Sequence, residues 1–515
     1  MANRKTVEFG DFQTPAALAQ EVAQFLEMSG ELADIIVEPT CGKGSFIRAA
    51  LDAFPGAMKT YGYDINPSYI GDAEHLLEPE RKRRVILECK NFFQMDWPKF
   101  FEDKKGSILV IGNPPWVTNA TLGSLGSINL PEKTNFQRHR GFAAKTGKAN
   151  FDISEWMLIR IIEALQQRDA CIAVLCKTAT ARKVLRHVWV NRLSVGKASL
   201  HLIDAKKYFQ ASVDACLLVV HTDIADSVPQ AAIYPDLSFN QKISTFGFIG
   251  EELVADLNEY MSLRDIDGIS YYRWRSGIKH DAAGIMEFTR ENGQLINGRG
   301  EICDLEDAYL FPLLKSSDIA NGRVIPRRSV LVTQRKPSDD TDIIEEEAAK
   351  TWSYLMTNKL NLSQRGSSIY LNRPKFSVFG VGDYTFSPWK VAISGLYKNC
   401  QFKIVGEHGG KPIVFDDTCY FIPCSSQKEA QFLYELLSSD VCKKFIRSLV
   451  FLDAKRPITI DVLNRIDLKR VAERLDREEE ACKYLPCGAE FEDRQALFVF
   501  EKKEAYRTKK NVRTK

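Results

Sequence analysis

No run of apolar residues in this chain approaches the roughly 20 that cross a bilayer, and Met1-Ala2-Asn3-Arg4-Lys5 is not followed by the apolar core of a secretion signal. No membrane partner is expected, and a cytoplasmic location is. Cysteine pairs of the CxxC kind are missing from its 12 cysteines, and Cys419/Cys424 and Cys482/Cys487 have no histidines at matching distances. Reduced core thiols are therefore expected, and a zinc site is not. A strong charge of either sign is missing too. The formal net charge is +3, so a nucleic-acid surface has to be argued from local clusters. Neither GxGxxG nor GxxxxGK[ST] occurs in the glycine-bearing stretch Glu38 to Phe46, which sets aside nicotinamide-dinucleotide and P-loop chemistry. No internal repeat stands out.

What is present is a chain of 515 residues, 44% hydrophobic, long enough for two or three domains with sizeable cores. Its most informative stretch is Ile111-Gly112-Asn113-Pro114-Pro115-Trp116. The apolar run Ser107-Ile108-Leu109-Val110 before it reads as a buried strand. Two prolines cannot donate to a strand ladder, so the strand ends there in an extended turn. The side-chain oxygen of Asn113 and the carbonyl of Pro114 can each accept one N–H of a planar amino group. Held that way, the nitrogen becomes more tetrahedral and its lone pair is freed for attack. Trp116 offers a face on which a base can stack.

Upstream, Thr14 is expected to cap a helix that has Pro15 at its first position. Asp34 to Val37 reads as the first strand and runs into Glu38-Pro39-Thr40-Cys41-Gly42-Lys43-Gly44-Ser45-Phe46. Glycines such as Gly42 and Gly44 between a strand and a helix let a ligand approach the backbone. Glu38 there would repel a phosphate and attract a cation such as a sulfonium. Tyr61 to Ile65 is the second strand, and Asp64 at its end is placed for a ribose diol. Val85 to Glu88 opens the third, followed by Asn91-Phe92-Phe93-Gln94-Met95-Asp96, where Asp96 could accept a bond from an adenine amine. Beyond Trp116 comes a loop of about 35 residues, long enough to be functional. Its section 133–148 carries Lys133, Arg138, Arg140, Lys145 and Lys148 and no acid, the make-up of a phosphate-contacting lid. A helix over 151–166 and strands over 170–176, 198–203 and 215–220 complete an alternating pattern, with Tyr208-Phe209-Gln210 between the last two strands. Such alternation predicts an α/β fold with a mostly parallel sheet covered on both faces, and ligands at the carboxyl ends of its strands.

The order of these motifs resembles that of N6-adenine DNA methyltransferases of the gamma class. There a Phe-x-x-x-Thr-Pro-like segment precedes a Glu-Pro-x-Cys/Ala-Gly-x-Gly loop, and Asn-Pro-Pro-aromatic follows. The resemblance covers roughly residues 7–225. It implies a Rossmann-like, seven-stranded methyltransferase sheet with S-adenosyl-L-methionine as methyl donor. It would set Thr14, Glu38 and Thr40 near the donor's methionine part, Asp64 and Ile65 on its ribose, and Asp96 and Trp97 at its adenine. Asn113 and Pro114, with Pro115 shaping the turn, would hold the target amine, and Trp116 and Phe209 would sandwich a flipped base. Trp116 stands where Tyr or Phe is more usual.

After Asp226-Ser227-Val228-Pro229 the alternation is lost, so a boundary is expected at 225/226. Arg327, Arg328 and Arg335 lie in an acid-free stretch, 321–336, and Arg365 and Arg373 sit among aromatics and glycines. That mixture suits a nucleic-acid surface. The half 226–470 resembles the C-terminal specificity domain of TaqI-type and Eco57I-type enzymes, which implies an α+β target-recognition domain for double-stranded DNA. A charged tail is expected over 471–515. The chain is expected to act as a monomer, beside a separately encoded restriction endonuclease or other defence subunits. The motifs begin within the first fifteen residues, so no nuclease is expected before them. Pro423-Cys424 and Pro486-Cys487 lie far outside the sheet domain, against a cytosine-C5 mechanism. Protein-glutamine methyltransferases share Asn-Pro-Pro-aromatic but are much shorter. An RNA adenine methylase and a catalytically weak DNA-binding subunit remain alternatives.

Overall fold

The structure is a computed structural model that describes residues 13–118, 152–222, 228–238, 241–250 and 252–485. The chain divides into two compact units between Asn258 and Glu259.

The first unit is built on one sheet. Its strands are β1 (Ile35–Glu38), β2 (Lys59–Asp64), β3 (Val85–Cys89), β4 (Ile108–Gly112), β5 (Ala170–Lys177), β6 (Ala198–Ile203), β7 (Ala215–His221), β8 (Gln230–Tyr234), β9 (Ser244–Ile249) and β10 (Glu252–Val254). They lie in the order β10-β9-β8-β6-β7-β5-β4-β1-β2-β3. β3, β2, β1, β4 and β5 run parallel, and β7 is antiparallel to both β5 and β6. The seven strands expected from sequence lie in this sheet, which has ten strands and not the seven expected.

Helices fill the connections: α1 (Ala16–Met28), α2 (Ser45–Ala53), α3 (Pro67–His75), α4 (Trp97–Glu102), α5 (Ile153–Ala164), α6 (Thr178–Val190) and α7 (Ala205–Phe209). Apolar residues at helical spacing on α1, Leu18, Val22 and Leu26, are fully buried with Phe46 and Ala50 of α2. They cover one face of the sheet through Ile36, Leu109, Ile111, Ala173 and Leu217. Alternate residues Val110, Ile172 and Val174 face the other way, toward Met157, Leu158 and Ile161 of α5. The central strands are therefore buried on both sides, as a parallel sheet requires.

Two expectations are corrected here. The sheet does not stop near residue 225: β8 pairs parallel with β6, and β9 and β10 add antiparallel to form an edge. These three strands follow one another with no helix between them, so the loss of alternation marked a change of connection and not the end of the domain. At the other end of the chain, helices Leu468–Arg474 and Glu478–Tyr484 bury Val471, Ala472 and Ala481, so the second unit runs through 470 and no tail begins there. Their charged faces hid these few core contacts.

The second unit is α+β. A six-stranded sheet runs in the order Ile302–Cys303, Gln294–Asn297, Glu287–Glu291, Arg328–Leu331, Leu310–Leu314, Val414–Phe415. A four-stranded antiparallel sheet runs Arg275–Ser276, Cys419–Cys424, Trp389–Ser394, Phe402–Val405. Helices Gln427–Ser438 and Asp440–Leu449 bury Phe432, Leu433, Phe445 and Ile446.

Candidate active site

The sheet order reverses between β1 and β4, since β2 and β3 follow on one side and β4 and β5 on the other. The carboxyl ends of the strands open there into a cleft of about 830 Å³, where an open α/β sheet takes its ligands. Thr14, Glu38, Thr40, Gly42, Asp64, Ile65, Asn113 and Pro115 all line this one cleft.

Glu38 ends β1 and is 2% exposed. One of its carboxylate oxygens accepts the backbone N–H of Ile47 at 3.1 Å, in the first turn of α2. Burial pushes its carboxyl well above the usual carboxylate range, nearby Asp64 adds to the rise, and the Ile47 bond opposes it. A buried carboxyl held this way is poised to ionise against a cation. Gly112 makes room for it: a Cβ there would stand 3.3 Å from Glu38 Cγ.

Asp64 ends β2 and fixes the loop after β1. Its Oδ2 accepts the N–H of Gly42 at 2.9 Å, and its Oδ1 that of Asn66 at 2.8 Å. Asn66 caps α3 through the Ser68 N–H, with Pro67 behind it. Gly42 has φ +49, and a Cβ on it would meet Gln13 Oε1 at 2.7 Å. Gly44 caps α2 at φ +80. It does not line the cleft but lets α2 approach α3, since its Cβ would stand 3.0 Å from that of Ala73.

Thr14 is not the helix cap expected from sequence. Pro15 takes that position and makes no side-chain cap bond, which leaves the Thr14 hydroxyl to accept from Asn113 Nδ2 at 3.2 Å. Pro114 is buried and lines a neighbouring apolar pocket of about 310 Å³ with Gly112, Val110 and Ile161. The carbonyl of Trp116 is held by Lys177 Nζ at 2.9 Å, and Lys177 also binds Asp152 Oδ2 at 2.7 Å. The chain between Thr118 and Asp152, with Lys133, Arg138 and Arg140, lies outside the described residues, but Thr118 and Asp152 pair with each other.

Trp116 and Phe209, expected to sandwich a base, meet each other as core neighbours. Their ring centroids are 5.2 Å apart and inclined at 65°, and both are over nine-tenths buried. Trp116 Nε1 donates to the Leu175 carbonyl at 3.3 Å. No base fits between rings in this arrangement. Asp96 and Trp97 are not brought to the cleft: exposed Asp96 caps α4 through the Lys99 N–H, and buried Trp97 donates its indole N–H to the Phe92 carbonyl. In their place Lys90, Phe92 and Phe93 line that side, with Gln13, Tyr69 and Met157 elsewhere on the wall. Lys90, Phe92 and Phe93 were missed in the sequence; they directly follow β3, and position after a strand end is the signal that could have found them.

In the second unit Arg327, Arg328, Arg335 and Arg373 are exposed. Arg335 and Arg373 lie over the rings of Phe386 and Phe379, at 4.8 and 5.5 Å, and Arg328 stands 3.8 Å from Asp318. Arg365 is an internal brace. Its guanidinium binds the carbonyls of Leu362, His280 and Ser377 and stacks on Tyr370 at 3.7 Å. Those carbonyls and the Tyr370 ring occupy the guanidinium that the sequence offered to a partner.

No family model matches the chain. It is 43% identical over 468 residues to the type II methyltransferase M.NspV of Nostoc sp., which covers 90% of this chain and 97% of that protein. Among solved structures, the type IIL restriction–modification enzyme MmeI in complex with DNA aligns with 89% of this chain and 65% of its own, at a TM-score of 0.52 and 13% identity. That likeness shows a shared fold. The methyl donor is S-adenosyl-L-methionine, and the cleft fits it: a buried carboxyl for a sulfonium, a strand-end carboxylate for a ribose, and aromatic rings beside them. With 43% identity along nearly its whole length, the chain belongs to the type II methyltransferases, the DNA-methylating enzymes of restriction–modification.

Proposed function

We propose that the protein is a site-specific N6-adenine DNA methyltransferase of the gamma class, the modification enzyme of a restriction–modification or related phage-defence system. The observation that carries this reading is Asn113 at the end of β4, on the wall of the cleft that also holds Glu38 and Asp64. The amide oxygen of Asn113 suits one N–H of an exocyclic amine, and the carbonyl of Pro114, the next residue, is the proposed second acceptor although that residue lines the neighbouring pocket.

When bound, S-adenosyl-L-methionine supplies an electrophilic methyl on a sulfonium sulfur. Glu38 balances that positive charge, Asp64 and Ile65 hold the ribose, and Phe92 and Phe93 bound the adenine side. Thr14 fixes the rotation of Asn113. Asn113 and Pro114 then accept the two N–H bonds of the target amine and raise its nucleophilicity. Transfer would form an N–C bond as the S–C bond breaks, leaving S-adenosylhomocysteine as a neutral thioether, and the proton shed by the methylated nitrogen would pass to solvent water. The target adenine has to leave the duplex to reach Asn113, and Trp116 and Phe209 part to receive it.

The second unit, in this reading, is a TaqI/Eco57I-type recognition domain for double-stranded DNA, with Arg327, Arg328, Arg335 and Arg373 facing the duplex. The enzyme works as a cytoplasmic monomer beside a separately encoded endonuclease. No helix among the described residues is long and apolar enough to cross a membrane. Methylation-sensitive sequencing of DNA from cells expressing the protein tests the reading: one short motif should carry N6-methyladenine throughout.

A further inference from the structure

A carboxylate, a thiol and an imidazole converge at the end of the sheet remote from the cleft. Glu31 lies between α1 and β1, Cys171 is in the opening turn of ladder on β5, and His221 closes β7. Cys171 and His221 are directly opposed across these antiparallel strands. One ligand atom from each of the three residues lies within 4.8 Å of the other two. His221 Nε2 stands 3.0 Å from both carboxylate oxygens of Glu31, and its Nδ1 faces the carbonyl of Lys197 at 3.4 Å. Cys171 is 4% exposed, while the side chains of His221 and Glu31 are 29% and 17% exposed.

An imidazolium–carboxylate pair would account for part of this. Both carboxylate oxygens are equidistant from Nε2, so a cation drawn into the cluster could take either or both of them along with the imidazole and the thiol. An Nδ1 turned to a backbone carbonyl is also the arrangement that orients a histidine toward a metal through Nε2. Zinc–nitrogen and zinc–oxygen bonds of about 2.0–2.2 Å put tetrahedral ligand atoms about 3.4 Å apart, and a zinc–sulfur bond of about 2.3 Å puts sulfur only slightly farther. To reach that geometry the 3.0 Å spacing of His221 and Glu31 would open and the Cys171 sulfur, within 4.8 Å of both, would move inward. One thiolate, one imidazole and one carboxylate suit a zinc-class ion and not magnesium or calcium, and the partly open side leaves a fourth position for water.

We propose that Glu31, Cys171 and His221 bind one zinc-class divalent ion, which fastens the turn after α1 to β5 and β7. The site is independent of the methyl-transfer chemistry. It would anchor the far end of α1, the helix whose near end follows Gln13 and Thr14 in the cleft.

The test uses the full chain, stripped with chelator and titrated with zinc and, separately, with cobalt. One equivalent of zinc should bind and raise Tm, and the cobalt form should show a thiolate-to-cobalt charge-transfer band. Cys171→Ser should abolish the band, and Cys171→Ser and His221→Gln should each weaken zinc binding by about tenfold or more. Cys482→Ser, at an exposed cysteine, should change nothing. If Cys171→Ser does not fold, His221→Gln at the half-open side chain carries the test. Absence of stoichiometric zinc binding, or binding that survives both substitutions, would overturn the proposal and leave a plain imidazolium–carboxylate pair.

Discussion

The side-chain amide of Asn113 donates to the hydroxyl of Thr14 across 3.2 Å, although 99 positions separate them in the chain. With Nδ2 committed to that hydroxyl, the amide oxygen is turned to the other side. An asparagine can serve as an acceptor for a substrate amine only while its rotation is set in this way. Thr14→Val keeps the shape and removes the acceptor, so kcat should fall about tenfold, which is about 1.4 kcal/mol of barrier. Thr14→Ser should retain most activity. Equal kcat in Thr14→Val and wild type would show that Asn113 is oriented by something else.

Asn113→Ala removes one of the two acceptors proposed for the reacting amine. The rate of methyl transfer should drop on the order of a hundredfold or more, by analogy with the loss of one transition-state hydrogen-bond partner. DNA affinity, measured separately by fluorescence anisotropy, should be nearly unchanged. Near-normal turnover in this variant would remove Asn113 from the chemistry.

Glu38 carries a pH signature. Its carboxyl is raised in the folded protein by burial, so its contribution to stability is complete below the unfolded value of about 4.3. That contribution is lost as pH rises through the folded value. Unliganded Glu38→Gln should therefore match wild type in acid and exceed its Tm at neutral pH. A bound sulfonium favours the ionised form, so binding of S-adenosyl-L-methionine should release protons in wild type and not in the variant. Calorimetry in buffers of different ionisation enthalpy reads this directly. Proton uptake, or a less stable Glu38→Gln at neutral pH, would contradict the assignment.

The arginines of the second unit should separate into two classes. Arg327→Ala and Arg373→Ala, at exposed positions, should weaken binding to all DNA sequences alike and each lower the salt slope by about one. Arg365→Ala should instead lower Tm, because it leaves carbonyls of Leu362, His280 and Ser377 without their donor, at about 1–3 kcal/mol for each that stays dry. A salt-slope change in Arg365→Ala with unchanged Tm would reverse the classes.

Trp116 tests base flipping. Its ring contact with Phe209 has to open before a base can stack there, worth roughly 1–3 kcal/mol. Trp116→Ala should slow methylation of a matched duplex more than of a mismatched one, whose target leaves the helix at lower cost. Equal losses on both would mean that Trp116 serves only the core it is buried in.

Much of the catalytic end was legible in the sequence because backbone rules wrote it. Two prolines end β4, glycines open the loop after β1, and an acid closes β2, each at the carboxyl end of a strand. Side-chain commitments were not legible. Asp96 is an acid at a plausible spacing, but the helix that starts at the next residue claims its carboxylate through the Lys99 N–H, and Phe92 and Phe93 line the cleft instead. Arg365 reads as a surface cation until the carbonyls around it are seen. The boundary at 225 failed for another reason: β8, β9 and β10 are short and partly exposed, and strand pairing at a sheet edge leaves little periodic signal.

Nucleoside analysis of DNA after reaction is the most direct measurement. Purified protein, a DNA of mixed sequence and S-adenosyl-L-methionine carrying a labelled methyl group are combined, and the DNA is digested to nucleosides. The label is expected in N6-methyladenine alone, and its transfer should be lost in Asn113→Ala. Label in a methylated cytosine, or transfer to RNA in preference to DNA, would contradict the proposed reaction.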